Sequence, residues 1–133
     1  MIFVDTSAVI ALVDKSDRHH AEAREIAAAL PPRTRLVTTD LVLAEAATWF
    51  RRAQGAEVAF QVGRRLLDAR LYEMVESTRE REEEALELMR HFGDKQLSFA
   101  DCLSFAVMRE MGIGEAFTFD EDFVRCGFSR LRA

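Results

Sequence analysis

The sequence has few of the residues that build disulfide or zinc scaffolds. Its 133 residues include two cysteines, Cys102 and Cys126, which lack the close spacing of a zinc pair or a redox motif. We therefore expect both to be reduced packing residues in a core that needs no metal or disulfide. We interpret His19 and His20 as structural or solvent-exposed, because adjacent helical positions point about 100° apart and rarely share an ion. His91 is alone near a helix end and is interpreted as structural.

Long hydrophobic runs and flexible linkers are also absent. The longest unbroken apolar run covers residues 8–13, far short of the roughly 18 residues that a membrane span requires. We therefore expect a cytoplasmic protein with no membrane partner. The only prolines lie together at positions 31 and 32, and no low-complexity tract divides the chain. Residues 1–133 are thus predicted to form a single domain.

The charge balance is acidic. The net charge is −5, from 23 acidic and 18 basic residues. This sign opposes nonspecific adhesion to nucleic acid, although a local basic patch can still bind phosphates.

Short apolar runs alternate with helical periodicity along the chain. Strands are predicted at residues 2–4, 35–39, 71–75, 116–119 and 128–131, and helices at residues 8–13, 17–30, 40–53, 56–69, 79–92 and 98–111. This alternation predicts an α/β fold with a central, mostly parallel sheet covered by helices on both faces, a three-layer α/β/α sandwich. An apolar stripe with a neighbouring aromatic is predicted to be core: Leu41, Val42, Ala46, Trp49 and Phe60.

Four acidic residues occupy notable positions. Asp5 and Asp120 follow predicted strands, Asp101 lies in the first turn of a late helix, and Glu45 projects from a largely apolar stripe. Ligands of parallel sheets bind beyond the carboxyl ends of the strands. These four side chains are therefore candidates for one site.

Each acid also has a purely structural interpretation. Asp5 and Asp120 are placed as helix N-caps, and the Ser98 to Asp101 segment matches a capping box. Glu45 could instead pair with Arg51, Arg52 or another arginine. If all four acids converge, carboxylates about 4 Å apart repel one another by roughly 4 kcal/mol per pair. Oxygen ligands alone would then favour Mg²⁺ or Mn²⁺ over zinc.

Five segments together resemble the PIN domain, and within it the small VapC-type ribonuclease toxins. These segments are residues 2–8, 17–21, 43–45, 98–101 and 118–123, which read IFVDTSA, DRHHA, LAE, SFAD and TFDEDF. They stand in the family's order and span nearly the whole chain.

The resemblance implies an acidic quartet at Asp5, Glu45, Asp101 and Asp120, with Thr6 and Thr118 as supporting hydroxyls and Asp122 as an additional carboxylate. It also implies hydrolysis of RNA phosphodiester bonds. We expect Asp5 and Asp101 to hold the principal Mg²⁺ or Mn²⁺. Glu45 and Asp120 would complete its outer sphere or bind a second ion, and the metal would activate a water for attack on phosphorus.

The resemblance further implies an RNA substrate, a cognate antitoxin protein and a homodimer. Part of the apolar surface of the second to fourth helices would support the dimer or an antitoxin groove. Arg51 and Arg52 could contact RNA phosphates or simply favour the C-terminus of their helix, and the sequence leaves both open.

Two other functions compete with this hypothesis. A catalytically degenerate PIN-like domain would serve only in protein or RNA binding, and metal titration would distinguish it. A phosphoaspartate-type phosphotransfer domain would use Asp5 as the acceptor. The residue two positions after Asp5 is Ser7 rather than a second aspartate, and neither lysine, Lys15 or Lys95, is at a strand end, which disfavours that class.

Overall fold

A wholly parallel five-stranded sheet forms the centre of the fold. The computed structural model describes residues 1–133. Its strands are β1 Ile2–Val4, β2 Leu36–Thr39, β3 Tyr72–Val75, β4 Glu115–Phe117 and β5 Ser129–Arg130. Its helices are α1 Thr6–Val13, α2 His20–Ala29, α3 Asp40–Gln54, α4 Ala56–Leu66, α5 Arg79–His91, α6 Phe99–Met111 and α7 Asp122–Arg125. The strand order is β3-β2-β1-β4-β5.

This architecture confirms the predicted α/β class, with the sheet flanked by helices. The core lies between sheet and helices, and its largest fully buried side chains include Phe3, Phe105, Phe117 and Phe123. The central strand β1 pairs in parallel with β2 on one side and β4 on the other, and all three of its residues are buried beneath the flanking helices. No helix in the chain combines the length and apolar character needed to cross a membrane.

The fourth strand is shorter than predicted. We predicted residues 116–119, but β4 ends at Phe117. Beyond it, the Thr118 hydroxyl accepts a hydrogen bond from the backbone N–H of Asp120 at 3.0 Å. This local turn, which competes with strand pairing, ends the ladder. It leads into the short helix α7, which the sequence did not predict as a separate element.

Part of the predicted core stripe is exposed, so that prediction was wrong for two aromatics. Trp49 is 36% exposed and Phe60 is 63% exposed. The buried residues of α3 are Val42, Ala46 and Phe50, which repeat every four positions. Trp49 directly precedes Phe50, so it projects about 100° away from the buried face.

The two cysteines behave as predicted. Cys102 and Cys126 are free and buried. Burial raises the pKa of the Cys102 thiol to about 11, which keeps it protonated and inert at neutral pH.

Candidate active site

The site lies where β1 and β4 end side by side. In their parallel pairing, Val4 is opposite Phe117, so the next residues, Asp5 and Thr118, emerge together from the sheet. Thr118 is fully buried and Asp5 nearly so. The sheet register therefore brings together two polar residues 113 positions apart.

Two hydroxyl groups hold the Asp5 carboxylate. Its Oδ2 accepts hydrogen bonds from Ser7 Oγ at 2.7 Å and from Thr118 Oγ1 at 2.9 Å. Burial raises the pKa of Asp5 to about 6, while these two hydrogen bonds oppose the rise and the charge of Asp101 adds to it. Asp5 is also the N-cap of α1, as its structural interpretation predicted. The N-cap and the candidate ligand are thus the same residue.

Ser7 is a site residue that the sequence analysis missed. Its Oγ donates to Asp5 and accepts from the backbone N–H of Phe119 at 2.9 Å. Ser7 therefore connects the start of α1 to the loop that follows β4. The available signal was its position two residues after a capping aspartate, where a serine hydroxyl can reach back to the carboxylate.

Asp101 is held at the start of α6 by the predicted capping box. The Ser98 hydroxyl accepts from the Asp101 N–H, and Asp101 Oδ2 accepts from the Ser98 N–H, both at 3.0 Å. Burial raises the pKa of Asp101, and the charges of Asp120 and Asp122 raise it further. Capping leaves Asp101 Oδ1 without a hydrogen bond from the protein.

Glu45 does not pair with an arginine, so that alternative was wrong. Its Oε1 accepts a hydrogen bond of 2.9 Å from Thr6 Oγ1, and no salt bridge joins it to Arg51 or Arg52. Glu45 is exposed as a residue, but partial burial of its carboxylate raises the pKa, and the charge of Asp101 adds to the rise. The apolar stripe from which Glu45 projects therefore leaves its carboxylate only partly buried.

Asp120 and Asp122 lie together before and within α7. Asp120 Oδ1 accepts from the Asp122 N–H at 2.9 Å, although the N-cap of α7 is Glu121 rather than Asp120. Asp122 accepts a 2.9 Å hydrogen bond from Arg125 in a salt bridge. Asp122 is therefore charge-compensated, whereas Asp120 is not.

The four carboxylates are linked by pairwise electrostatic repulsion. The charge of Asp101 acts on both Asp5 and Glu45, and the charge of Asp120 acts on Asp101. None of the four takes part in a salt bridge. Each also has one oxygen without a hydrogen bond from the protein: Asp5 Oδ1, Glu45 Oε2, Asp101 Oδ1 and Asp120 Oδ2.

These carboxylates do not form a closed cage. No group of three or more His, Cys, Asp or Glu side chains is close enough together to hold a metal ion. Like charges repel one another, and each carboxylate accepts a hydrogen bond from a neighbouring hydroxyl or amide. The donor chemistry still fits a hard divalent cation, because free carboxylate oxygens with no competing arginine or lysine are the ligands that Mg²⁺ and Mn²⁺ prefer.

The histidines beside the site have structural partners, in line with their interpretation. The ring of His19 stacks on Phe119, with centroids 4.4 Å apart and planes 8° apart, and its Nε2 accepts from Arg18. The Nδ1 of His20 lies 2.7 Å from the backbone oxygen of Ala11. In the sequence, Phe119 follows Thr118 and precedes Asp120. The His19 ring therefore packs against the loop that carries part of the site.

Comparison with known proteins identifies the family. The sequence profile of the PIN domain matches residues 2–129. The chain belongs to the PIN-domain family. This PIN domain is 36% identical over 132 residues to the "23S rRNA-specific endonuclease VapC20" of Mycobacterium tuberculosis, found in two strains, covering 99% of the chain and 98% of the relative. The predicted resemblance to VapC-type ribonucleases is thereby confirmed.

Solved structures agree with this assignment. The crystal structure of Mycobacterium tuberculosis VapC20, described as a "Sarcin-Ricin loop cleaving toxin", matches with a TM-score of 0.93 and 35% identity over the full length of both chains. A "Toxin-antitoxin complex from Klebsiella pneumoniae" matches with a TM-score of 0.65 and 15% identity, covering 91% of this PIN domain and 88% of that chain. The second likeness concerns the fold alone.

Proposed function

We propose that this PIN domain is a Mg²⁺- or Mn²⁺-dependent endoribonuclease, the cytoplasmic toxin of a toxin–antitoxin pair. The observation that carries the proposal is the set of four carboxylates, Asp5, Glu45, Asp101 and Asp120, which share one field at the sheet edge without any basic partner. Such uncompensated charge is costly, and a bound cation is the simplest way to relieve it.

The residues divide into ligands and the groups that orient them. Asp5 and Asp101 would hold the principal ion, and Glu45 and Asp120 would complete its outer sphere or hold a second ion. When bound, the ion would supply an activated water at neutral pH and neutralise charge that builds on the phosphate oxygens.

Hydroxyl groups of this chain set the ligand orientations. Thr118 and Ser7 fix one oxygen of Asp5 and leave the other free, and Thr6 does the same for Glu45. A fixed carboxylate loses less rotamer freedom on binding a cation or substrate, so these hydroxyls pre-organise the site.

We propose a hairpin of 23S rRNA as the substrate class. The support is the full-length similarity to VapC20, whose names describe it as specific for 23S rRNA and as cleaving the sarcin–ricin loop. A synthetic sarcin–ricin hairpin is therefore the first RNA to test.

The test compares cleavage of this hairpin by purified protein with Mg²⁺, with Mn²⁺ and with EDTA. We expect cleavage only with a divalent ion, and loss of cleavage in Asp5→Asn and Asp101→Asn. Asp68→Asn is the matched control, because Asp68 pairs with the exposed Arg70 away from the site and its variant should cleave normally. Retained cleavage in both site variants would refute the assignment.

The same protein tests the two competing functions. A degenerate binding domain would leave the hairpin intact and bind Mn²⁺ feebly in calorimetry. A phosphotransfer domain would accept label from acetyl phosphate on Asp5. The first is disfavoured because all four acids are present, and the second because no salt bridge joins Lys15 or Lys95 to Asp5.

We also propose a docking groove for the antitoxin. An apolar groove of about 740 Å³ lies between α1, α2 and α4, with Leu12, Ala27, Val58 and Val62 among its lining residues. The lining also includes Arg24 and Arg65. An amphipathic antitoxin segment with apolar residues on one side and carboxylates beside them would match both features.

Two alanines of α2 provide a matched test of this groove. Ala28 lines the groove and Ala21 does not, and both are exposed. If a small reading frame adjoins the gene, as expected for a toxin–antitoxin pair, Ala28→Glu should abolish co-purification with its product, and Ala21→Glu should not. Equal capture by both variants would exclude the groove. The expected homodimer remains a prediction, which sedimentation velocity tests.

A further inference from the structure

A second groove runs from the carboxylate site along α3. It is lined by Thr6 and Glu45 at one end and by Thr48, Trp49 and Arg52 further along. Positions 45, 49 and 52 follow one another at helical spacings of four and three, so they form one stripe about 10 Å long on the helix. The groove is therefore continuous with the candidate active site.

Trp49 presents an aromatic surface in this groove. It is the only tryptophan of the chain and is 36% exposed. A T-shaped contact with the buried Phe50, with centroids 4.9 Å apart, holds the indole in place. The indole thus packs against a buried side chain on one side, while part of its surface stays available for stacking.

Arg52 supplies a free cation in the same groove. It is exposed and makes no salt bridge, although Glu45 lines the groove with it. An unpaired guanidinium beside an exposed indole is the combination by which proteins hold single-stranded nucleic acid, the arginine on phosphate and the aromatic on a base.

From this arrangement we infer that Trp49 stacks on an unpaired base next to the scissile phosphate, while Arg52 binds a neighbouring phosphate. The inference rests on the proposed ribonuclease function and adds a specificity to it. A base can stack on a protein side chain only when it has left the helical stack, so the groove selects looped over paired RNA.

The two charged residues of the groove favour RNA over a second copy of the chain. Half of its eight lining residues are apolar, namely Ile10, Ala44, Trp49 and Ala53, and the other half are two threonines, a glutamate and an arginine. The centre of a dimer interface is depleted in charged residues, and this groove holds two. The more exposed Phe60 lies in an adjacent groove with Arg51. A dimer through the Trp49 surface is therefore an outcome for the experiment to exclude.

The single tryptophan makes the experiment direct, because all tryptophan fluorescence reports on Trp49. The protein is titrated in EDTA with the sarcin–ricin hairpin and with a fully paired duplex of the same length. We expect the hairpin to quench the fluorescence strongly. The dissociation constant obtained for the duplex should be at least about 10-fold higher than that for the hairpin. Hairpin binding without quenching would overturn the inference. A spectral shift that depends on protein concentration without RNA would overturn it in favour of a dimer.

Variants separate stacking from general charge. Trp49→Ala should raise KM for the hairpin by about 10- to 100-fold with little change in kcat, and Trp49→Phe should restore most of the loss. Arg52→Ala should weaken binding and reduce its salt dependence. Arg79→Ala, at an exposed arginine of α5 outside the groove, is the matched control and should behave as wild type.

Failure of the stacking inference and failure of the proposed ribonuclease function give different experimental results. If Trp49→Ala cleaves the hairpin with unchanged KM, the stacking inference is wrong and the proposed function stands. If the wild type cleaves no RNA with any divalent ion, the proposed function is wrong, and the titration still reports whether Trp49 contacts RNA.

Discussion

Thr118 donates a 2.9 Å hydrogen bond to Asp5 and joins the ends of β1 and β4 across 113 positions of sequence. The same hydroxyl accepts the N–H of Asp120 at 3.0 Å. One buried side chain thus connects two of the four acids. This arrangement makes Thr118 a positioning residue for both Asp5 and the loop that carries Asp120.

Thr118→Val should therefore damage both stability and activity. Valine has nearly the same shape, but it leaves a buried carboxylate with one donor fewer and the Asp120 N–H without its acceptor. We expect a loss of about 1–3 kcal/mol in the free energy of unfolding, measured by urea titration. Hairpin cleavage should fall as well.

Thr118→Ser is the control for this prediction. Serine keeps the hydroxyl and loses one methyl group, so it should recover most of the cleavage. If Thr118→Val and Thr118→Ser are equally active, the hydroxyl does not position Asp5.

Asp5→Asn should stabilise the metal-free protein at neutral pH. The pKa of Asp5 is raised to about 6 from 3.8, so between these values the folded state holds a proton that the unfolded state has lost. Stability conferred by this group therefore falls as pH rises through that window and stays low above pH 6. Two units of pKa correspond to at most about 3 kcal/mol.

Thermal unfolding in EDTA from pH 4 to pH 8 measures this effect. The advantage of Asp5→Asn over wild type should be small near pH 4 and largest above pH 6. Asp68→Asn is the control, because Arg70 lowers the pKa of the exposed Asp68 to about 2. Its effect varies with pH only below about pH 4, so its difference from wild type should stay constant from pH 4 to pH 8. An advantage of Asp5→Asn that did not vary with pH would contradict the prediction.

The sequence predicted the sheet and the local positions of Asp5 and Asp101 well, because both follow from local patterns. An apolar run followed by Asp5 marks a strand end and a helix start, and parallel pairing then aligns Asp5 with Thr118. The capping box at Ser98 and Asp101 was also local, and it formed as predicted.

Features that depend on side-chain direction were harder to predict. Trp49 and Phe50 are adjacent and both aromatic, yet only Phe50 is buried. Which one faces the core depends on the rotation of α3 about its axis, and the apolar positions alone fit more than one rotation. Ser7 was missed for a different reason: its bond to Asp5 is local, but the second partner that makes it a link to the site loop, the N–H of Phe119, lies 112 positions away.

The hydrogen bond from Thr6 to Glu45 should contribute to activity more than to stability. Glu45 is exposed, so removing its donor leaves the carboxylate hydrated and the fold nearly unchanged. We expect Thr6→Val to lower kcat/KM by about 2- to 10-fold, the equivalent of one hydrogen bond.

A double-mutant cycle isolates this contribution. In a Glu45→Gln background, where activity is already reduced, Thr6→Val should have little further effect, because the two side chains act as one unit. Additive losses in the double variant would mean that Thr6 acts on something other than Glu45.

Divalent ions should stabilise the fold through the four acids. Saturating Mn²⁺ binds only the folded state, because the unfolded chain does not bring Asp5, Glu45, Asp101 and Asp120 together. At 100 times the dissociation constant, this adds about 2.7 kcal/mol, or a rise of roughly 10 °C in Tm for a domain of this size. Asp5→Asn and Asp101→Asn should each lose most of the rise, while Asp68→Asn keeps it. The same rise in all three variants would mean that the ion binds elsewhere, since Asp68 is bonded to Arg70 and not to the acids of the site.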